Sequence, residues 1–270
     1  MSEVINPPII TIFCAFTRRW AVERWLENLK NTQGIHKPEN TNLAFIIDID
    51  EPFIHNKLKR FAEEHGYRAC EIIRNSDHHP NEVRVAQRRQ RIAYIKNQSK
   101  HLIAKLEGEI VVSLEDDTVF DVDCFCRLIK PLMQDPRVGF VQGVQCGRWG
   151  VKMIGAWEVD DINHPTRANT VMPAEGYQQI DAGGFYGYAT RKDLYLNHDY
   201  YSGSSQPYGP DVNYGLYVKQ RGYQVIIDWE TVFGHNDHNV VLYPDDTVTK
   251  ITFTKKKQTG EWLRTDEELS

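Results

Sequence analysis

No apolar run in this 270-residue chain approaches the length of a membrane span, and its first residues lack the basic-then-apolar pattern of a secretory leader. A cytoplasmic protein is the expectation. Cysteine is scarce: Cys14, Cys70, Cys124, Cys126 and Cys146 form an odd set without Cys-x-x-Cys spacing, which argues for reduced, mostly buried thiols and against zinc. Positive charge is in deficit as well. A net charge of -5 and a pI near 6.1 exclude a generally basic, nucleic-acid-coating surface and leave room only for a local basic patch. Internal repeats and low-complexity tracts are missing. What is present, 41% hydrophobic and 26% charged residues, suits a globular chain with one large α/β domain or two small ones.

The stretch that organises the chain is Ile110-Val111-Val112-Ser113-Leu114-Glu115-Asp116-Asp117, an apolar run that drives into three consecutive carboxylates. Such a run reads as a buried strand with its charges at the exit. Adjacent acids repel, so they need either a cation, with Mg²⁺ or Mn²⁺ the natural candidate, or the full solvation of an ordinary acidic turn. Upstream, Ile9 to Phe16 has the β-branched and aromatic content of a first strand. Thr17 can cap a helix that carries Trp20, Val22, Trp25, Leu26 and Leu29 on one face. Leu43 to Ile47 is a second strand, ending in Asp48 and Asp50; a helix from Phe53 to His65, closed by Gly66, leads to a third strand near Arg68 to Ile73.

Pro80 to Leu106 reads as a long helix with Val85, Ile92, Ile95, Leu102 and Leu106 along its apolar face. Arg88 falls on that same face, so it needs an anion, either a strand-end aspartate or a ligand phosphate. Arg84 and Arg91 beside it make a basic patch that a solvated face explains equally well. Alternating strands and helices predict a parallel sheet, with Asp48, Asp116 and Asp117 at the carboxyl ends of strands, where open α/β sheets bind ligands.

The second half is less regular. Val138 to Val144 is a strand, while Gly143 to Gly155 and Asn163 to Gln179 read as long loops. Ile180 to Tyr188 combines glycines with aromatics, suited either to a tight bend or to close approach of a ligand. Asp211 opens an amphipathic helix, Val212 to Arg221, stopped by Gly222; helix capping alone suffices to explain an Asp there. Val225 to Ile227 is a strand, and His235 and His238 follow on a loop as a weak ligand pair. From Asp245 the chain reads as a polar, Lys-rich tail with Trp262 as its one large anchor.

In order, these pieces resemble a nucleotide-sugar glycosyltransferase of the GT-A fold, most similar to the inverting enzymes of family 2, over roughly residues 8 to 240. Ile46-Ile47-Asp48 resembles the strand whose terminal Asp meets the nucleotide base. Ala86-Gln87-Arg88-Arg89 resembles the family's Ala-Ala-Arg-Asn helix, with Arg89 departing from Asn. Leu114 to Asp117 resembles the Asp-x-Asp metal motif with Glu115 in its first position. Asp181-Ala182-Gly183-Gly184-Phe185 is similar to the Gly-rich acceptor segment. Gly209-Pro210-Asp211-Val212 resembles Gly-Glu-Asp-Val, with Pro210 in place of the Glu, and the Cys14-Ala15-Phe16-Thr17 strand end departs from the usual Pro-x-Tyr/Phe-Asn.

The resemblance implies a Rossmann-like α/β fold with a mixed, mostly parallel sheet flanked by helices. It implies a glycosyltransferase domain over 1–244, a nucleotide-sugar half at about 8–120 and an acceptor half at about 121–244, followed by the 245–270 tail. It implies Asp117 and His235 as ligands of Mn²⁺ or Mg²⁺, and Asp211 as the catalytic base. Ala15, Phe16, Asp48, Arg88, Glu115 and Asp116 would bind the donor, and Trp157, Gly183, Gly184 and Phe185 the acceptor. A UDP-linked sugar is the expected donor. Trp149, Tyr186 and Tyr188 add possible stacking surface, and the acceptor is a glycan, a protein or, if Arg84, Arg88, Arg91 and Lys255-Lys256-Lys257 cooperate, a modified nucleic acid. Two other readings stay open: a nucleotidyltransferase acting on a sugar phosphate, and a non-catalytic module that binds nucleotide sugars or glycans.

Overall fold

The computed structural model describes residues 8–33, 36–49, 51–75, 85–145, 155–161, 164–167, 175–201, 208–237, 240–242, 248–255 and 262–269. Arg84, Cys146, Trp149, His238, Lys256 and Lys257 lie outside the described residues, as do Pro80 to Val83 and the side chains of Lys255 and Trp262. The first half follows its hydrophobic pattern: β1 (Ile10–Phe16), α1 (Ala21–Asn31), β2 (Thr41–Ile47), α2 (Phe53–Glu64), β3 (Ala69–Arg74), α3 (Val85–Ile103) and β4 (Ile110–Glu115). β1 lies parallel between β2 and β4, and β3 lies parallel outside β2. β2 is buried along its whole length, as a strand covered on both faces must be.

The chain continues through β5 (Thr118–Val119), α4 (Cys124–Gln134), β6 (Val138–Gln145), β7 (Ala156–Asp161), β8 (His164–Arg167), β9 (Tyr177–Ile180), β10 (Ala182–Gly183), β11 (Gly187–Arg191), α5 (Lys192–Asn197), α6 (Pro210–Gln220) and β12 (Gln224–Asp237). It ends in β13 (Val240–Leu242), β14 (Val248–Lys255) and β15 (Trp262–Leu269). Among the described residues the main sheet runs in the order β15-β14-β13-β12-β6-β11-β4-β1-β2-β3, and β7, β8 and β10 make a second, small sheet.

The main sheet is mixed rather than mostly parallel. Parallel pairing joins β1 to β4, β2 to β3 and β6 to β12, but β11 runs antiparallel between β4 and β6. The stretch expected to be a polar tail carries β14 and β15, an antiparallel pair that extends the sheet beyond β13. Alternation along β1 divides the core. Ile10, Ile12, Cys14 and Phe16 face a layer containing Trp25 and Leu29 of α1, Leu58 of α2 and Phe125 and Leu128 of α4. Phe13 faces the other layer, with Ile95 and Leu102 of α3, Tyr195 of α5 and Tyr214 and Val218 of α6. Each such fully buried apolar side chain contributes about 1.5–3 kcal/mol. Among the described residues no helix is long and apolar enough to cross a membrane.

Candidate active site

Strand direction gathers the polar residues at one edge. β6 and β12 run in the direction of β1, β2 and β4, because β11 reverses and β6 reverses again. The carboxyl ends of all five therefore share an edge, and the helices that follow β1, β2 and β3 begin there. α6, which leads into the start of β12, also has its N-terminus on this side. Arg18, Asp48, Arg88, Glu115 to Asp117, Asp211 and His235 all fall on it.

Asp117 and His235 meet through a bend in β12. The strand pairs with β6 up to Ile227 opposite Gln142 and resumes at Val232 opposite Val144, so extra residues bulge out between. Asp228, wholly buried inside the bulge, accepts hydrogen bonds from Thr231 Oγ1, from the Glu230 amide at 3.3 Å and from Arg127 Nε at 3.1 Å. Past the bulge β12 pairs with β5, His235 opposite Thr118, and His235 Nε2 comes to 3.3 Å from Asp117 Oδ2. Both side chains are buried. His235 is thus a residue of β12 and does not lie on a loop as expected.

The three acids are not equivalent. Asp116 accepts on Oδ2 from the amides of Thr17 at 2.7 Å and Arg18 at 2.9 Å and from Thr17 Oγ1 at 3.1 Å, while its Oδ1 pairs with Arg18 Nη1. Both its oxygens are engaged by the loop between β1 and α1, and only Oδ1, with Arg18 as its one partner, keeps acceptor capacity. Burial and the neighbouring Asp117 charge push the Asp116 carboxyl up, to about 6, against the pull of Arg18 and the Thr17 amide. Thr17 serves this anchor and is not the helix cap, since α1 starts after Trp20. Arg18, which composition alone does not single out, also reaches Asp117 Oδ2 with Nη2 at 3.0 Å. Burial by itself would weaken its hold on its proton; Asp116, Asp117 and Glu115 outweigh that and raise its pKa. Glu115 is partly exposed, and burial together with Asp117 raises its pKa, with Arg18 and Arg88 opposing.

The arginine expected to be buried is a different one. Arg88 is exposed on the first turns of α3, within electrostatic reach of Glu115. Arg91, one turn further along, enters the sheet edge instead: its Nε donates to Asp48 Oδ2 at 2.6 Å and its Nη2 pairs with the same carboxylate. Asn75 donates to the other Asp48 oxygen at 3.1 Å, so Asp48, wholly buried, is held by its own protein. Phe16 is also turned away from the edge. Its ring packs on Trp25 and Phe45 at 5.6 Å, leaving Ala15, partly exposed, as the accessible residue of that strand end.

Asp211 sits in the first turn of α6, with Oδ1 accepting from the Val212 amide at 3.0 Å. Its carboxylate folds against Gly209, where any side chain would collide with it. Burial raises its pKa, against the pull of backbone amides and of the Arg89 guanidinium nearby. Arg89 Nε lies 3.8 Å from where a Gly209 Cβ would stand, so the start of α3 borders Asp211 on one side and Glu115 on the other.

The expected acceptor segment divides. Gly183 leaves room for Gln142, whose Nε2 donates to Gly155 O and Tyr186 Oη at 3.1 Å each, and Gly184 leaves room for the Tyr186 ring. Phe185 is buried, stacked on Tyr188 at 5.3 Å, and belongs to the core. These residues are accounted for by packing. Trp157 alone is partly exposed, beside Tyr208 and Val212 on the small sheet.

Among the described residues no group of three His, Cys, Asp or Glu side chains converges as a self-sufficient metal cage. Asp117 and His235 nevertheless fit a divalent ion: a hard oxygen and an imidazole nitrogen 3.3 Å apart match the edge of a six-coordinate shell, which is about 3 Å for bonds of about 2.1 Å. Magnesium-like ions are commonly held by one or two protein ligands plus substrate phosphates and water.

No protein-family model matches the chain, and no curated protein matches it by sequence. Solved structures do. The mannosyltransferase PcManGT from Pyrobaculum calidifontis, in complex with GDP-Man and Mn²⁺, matches 84% of this chain and 56% of its own, with a TM-score of 0.56 and 15% identity. GalNAc-T7 with UDP, GalNAc and Mn²⁺ matches 83% of this chain and 43% of its own, with a TM-score of 0.55 and 14% identity. The chain thus spans about half the length of these neighbours and shares the GT-A type of fold with them.

Proposed function

We propose that the chain is a metal-dependent glycosyltransferase, nearest in kind to the inverting enzymes of family 2, that moves a sugar from a nucleoside diphosphate to an acceptor hydroxyl. The observation that carries this reading is the approach of Asp117 Oδ2 and His235 Nε2, at 3.3 Å, on the edge where α6 begins with Asp211. Asp117 and His235 would hold Mn²⁺ or Mg²⁺, which when bound offsets the charge that grows on the departing diphosphate. Arg88, exposed at the start of α3, is free to meet a phosphate. Asp211 takes the proton of the acceptor hydroxyl as its oxygen bonds to the anomeric carbon; the old carbon–oxygen bond breaks and its electron pair leaves with the nucleoside diphosphate. A single base opposite the leaving group inverts the anomeric centre. Trp157 offers a partly exposed ring for an acceptor sugar. Glycan, protein and modified nucleic acid remain the acceptor classes to screen.

The test is a panel of UDP- and GDP-linked sugars with Mn²⁺ or Mg²⁺ and a lysate as acceptor source, reading released nucleotide and added sugar mass. Release of the nucleoside diphosphate is expected, whereas release of inorganic pyrophosphate would assign a nucleotidyltransferase. Asp117→Asn should lower metal-dependent turnover by about a hundred-fold or more, given several kcal/mol from the ion at about 1.4 kcal/mol per decade. Full activity in that variant would refute the assignment. An α-configured product from an α-linked donor, read by NMR, would refute inversion.

A further inference from the structure

Arg18 closes the acidic corner in a way that neither the donor nor the metal requires. It lies on the loop that Asp116 ties down through the Thr17 and Arg18 amides, so its backbone is fixed relative to β4. From that fixed base the two terminal nitrogens of its guanidinium divide. Nη1 pairs with Asp116 Oδ1, and Nη2 reaches Asp117 Oδ2 at 3.0 Å, the same oxygen that stands 3.3 Å from His235 Nε2. The Arg18 side chain is 18% exposed while those of Asp116 and Asp117 are 2% and 1% exposed. The guanidinium is therefore more open to solvent than either carboxylate it holds.

A divalent ion on Asp117 Oδ2 and a guanidinium on the same oxygen are two cations contending for one acceptor in a poorly solvated site, and they repel. The contention is relieved if an anion is offered to the guanidinium at the moment the ion arrives. A diphosphate is such an anion: its oxygens take the planar fork of an arginine bidentately, and they complete the coordination of the ion. The fork need only turn about its own side-chain bonds, since Asp116 keeps the loop in place.

We propose that Arg18 is a displaceable counter-ion that occupies Asp117 until a nucleoside diphosphate draws it away, so that metal and nucleotide bind cooperatively and each only weakly alone. This rests on the reading of Asp117 and His235 as metal ligands and adds a positioning residue that governs their access. Its energetic form is a coupling between two ligands, and couplings of this kind lie at about 5–150-fold in affinity.

The experiment is a titration of the whole protein with Mn²⁺, followed by electron paramagnetic resonance of the free ion, in the absence of nucleotide and with saturating UDP or GDP. Nucleotide-free protein and the known binding of Mn²⁺ to free nucleotide serve as the references. Wild type should bind Mn²⁺ about ten-fold more tightly with the nucleotide than without it. Arg18→Gln should bind Mn²⁺ alone about ten-fold more tightly than wild type and show a smaller nucleotide effect, keeping only the part that comes from diphosphate oxygens completing the coordination of the ion. Arg18→Lys, whose compact ammonium cannot span both carboxylates, should move the same way by a smaller factor.

Thermal unfolding checks that the variants fold. If neither does, the wild-type coupling decides, and a change under about two-fold on adding nucleotide overturns the proposal. Unchanged or weakened Mn²⁺ binding in a folded Arg18→Gln protein overturns it as well. In that case loss of Mn²⁺ binding in Asp117→Asn would leave the metal-ligand reading standing. Absence of Mn²⁺ binding in wild type with every nucleotide would overturn both.

Discussion

As the proposed base, Asp211 would have to be ionised to accept a proton and basic enough to keep it, and its surroundings pull in both directions. Burial raises its pKa while the Val212 amide and Arg89 lower it, with the rise prevailing. The active form therefore disappears as pH falls, and it does so at a pH above that of an ordinary aspartate. The acid limb of kcat/KM should lie above the ordinary aspartate value of 3.8, and Asp211→Asn should abolish that limb with a loss of about 10²–10⁴ in rate. A pH–rate profile of both proteins checks it. At this scale the sequence is legible where a local pattern marks the residue. Asp117 ends an apolar run and Asp211 opens a helix, and both patterns are short-range. Arg18 and Asp116, 98 residues apart, have no such signature, because their pairing exists only once β1 and β4 are neighbours. Arg88 and Arg91 show the related failure. The helical period fixes the direction of a side chain but not its depth, and the first turns of α3 project beyond the edge that Arg91 enters.

Two elements set the geometry on which those residues depend. The bulge of β12 turns His235 onto Asp117, and Asp228 holds the bulge through Thr231, Glu230 and Arg127. Asp228→Ala should destabilise the protein by about 2–3 kcal/mol, a buried pair broken but with its arginine partly exposed. It should also weaken Mn²⁺ binding although Asp228 touches no ligand; denaturant unfolding and the Mn²⁺ titration read the two effects. Thr231-Val232-Phe233 has strand-forming residues, but the bulge between Ile227 and Val232 breaks the two-residue period that would join them to Val225 to Ile227, and Gly234-His235-Asn236-Asp237 reads as a turn.

α3 contributes differently. Lys96 is buried beneath the rings of Phe13, Phe185 and Tyr188, and Nζ donates to Ser113 Oγ at 2.6 Å and Tyr188 Oη at 3.1 Å. Burial lowers its pKa from 10.5 to about 7, with Glu115 and Cys14 opposing. Between those values the unfolded chain holds the proton and the folded chain releases it, so stability rises with pH, by a few kcal/mol over the window at about 1.4 kcal/mol per unit. Lys96→Met should remove that slope between about pH 7 and 9, below the range in which the buried tyrosines, whose pKa values are raised, produce the opposite slope. The loss of its two hydrogen bonds would shift stability by a constant amount, and the slope in urea unfolding separates the two.

Among the described residues one continuous sheet runs from β3 to β15, with a helical layer on each face of its first half, and both core layers draw side chains from residues 8–120 and from residues 121–244 alike. The first half of this plan is legible in sequence because its strands are long, buried on both faces and separated by helices of regular period. The second half is not. β9, β10 and β11 have four, two and five residues, too few for alternation to stand out, and β14 and β15 carry sequences rich in Lys, Thr and acidic residues that give no apolar run to read as a strand. A division into separately folding halves would leave the site straddling a joint, with Arg18 and Asp117 on one side and Asp211 and His235 on the other. The continuous sheet instead predicts that ligand binding stabilises the chain as a unit. UDP or GDP with Mn²⁺ at about 100 times Kd contributes about 2.7 kcal/mol. At about 2–4 °C per kcal/mol for a domain of this size, the melting temperature should rise by about 5–10 °C. Differential scanning calorimetry should give a single transition that moves as a whole, and Asp117→Asn should lose most of the shift. Two transitions of which only one moves would mean that the halves unfold independently, despite β11 lying between β4 of one half and β6 of the other.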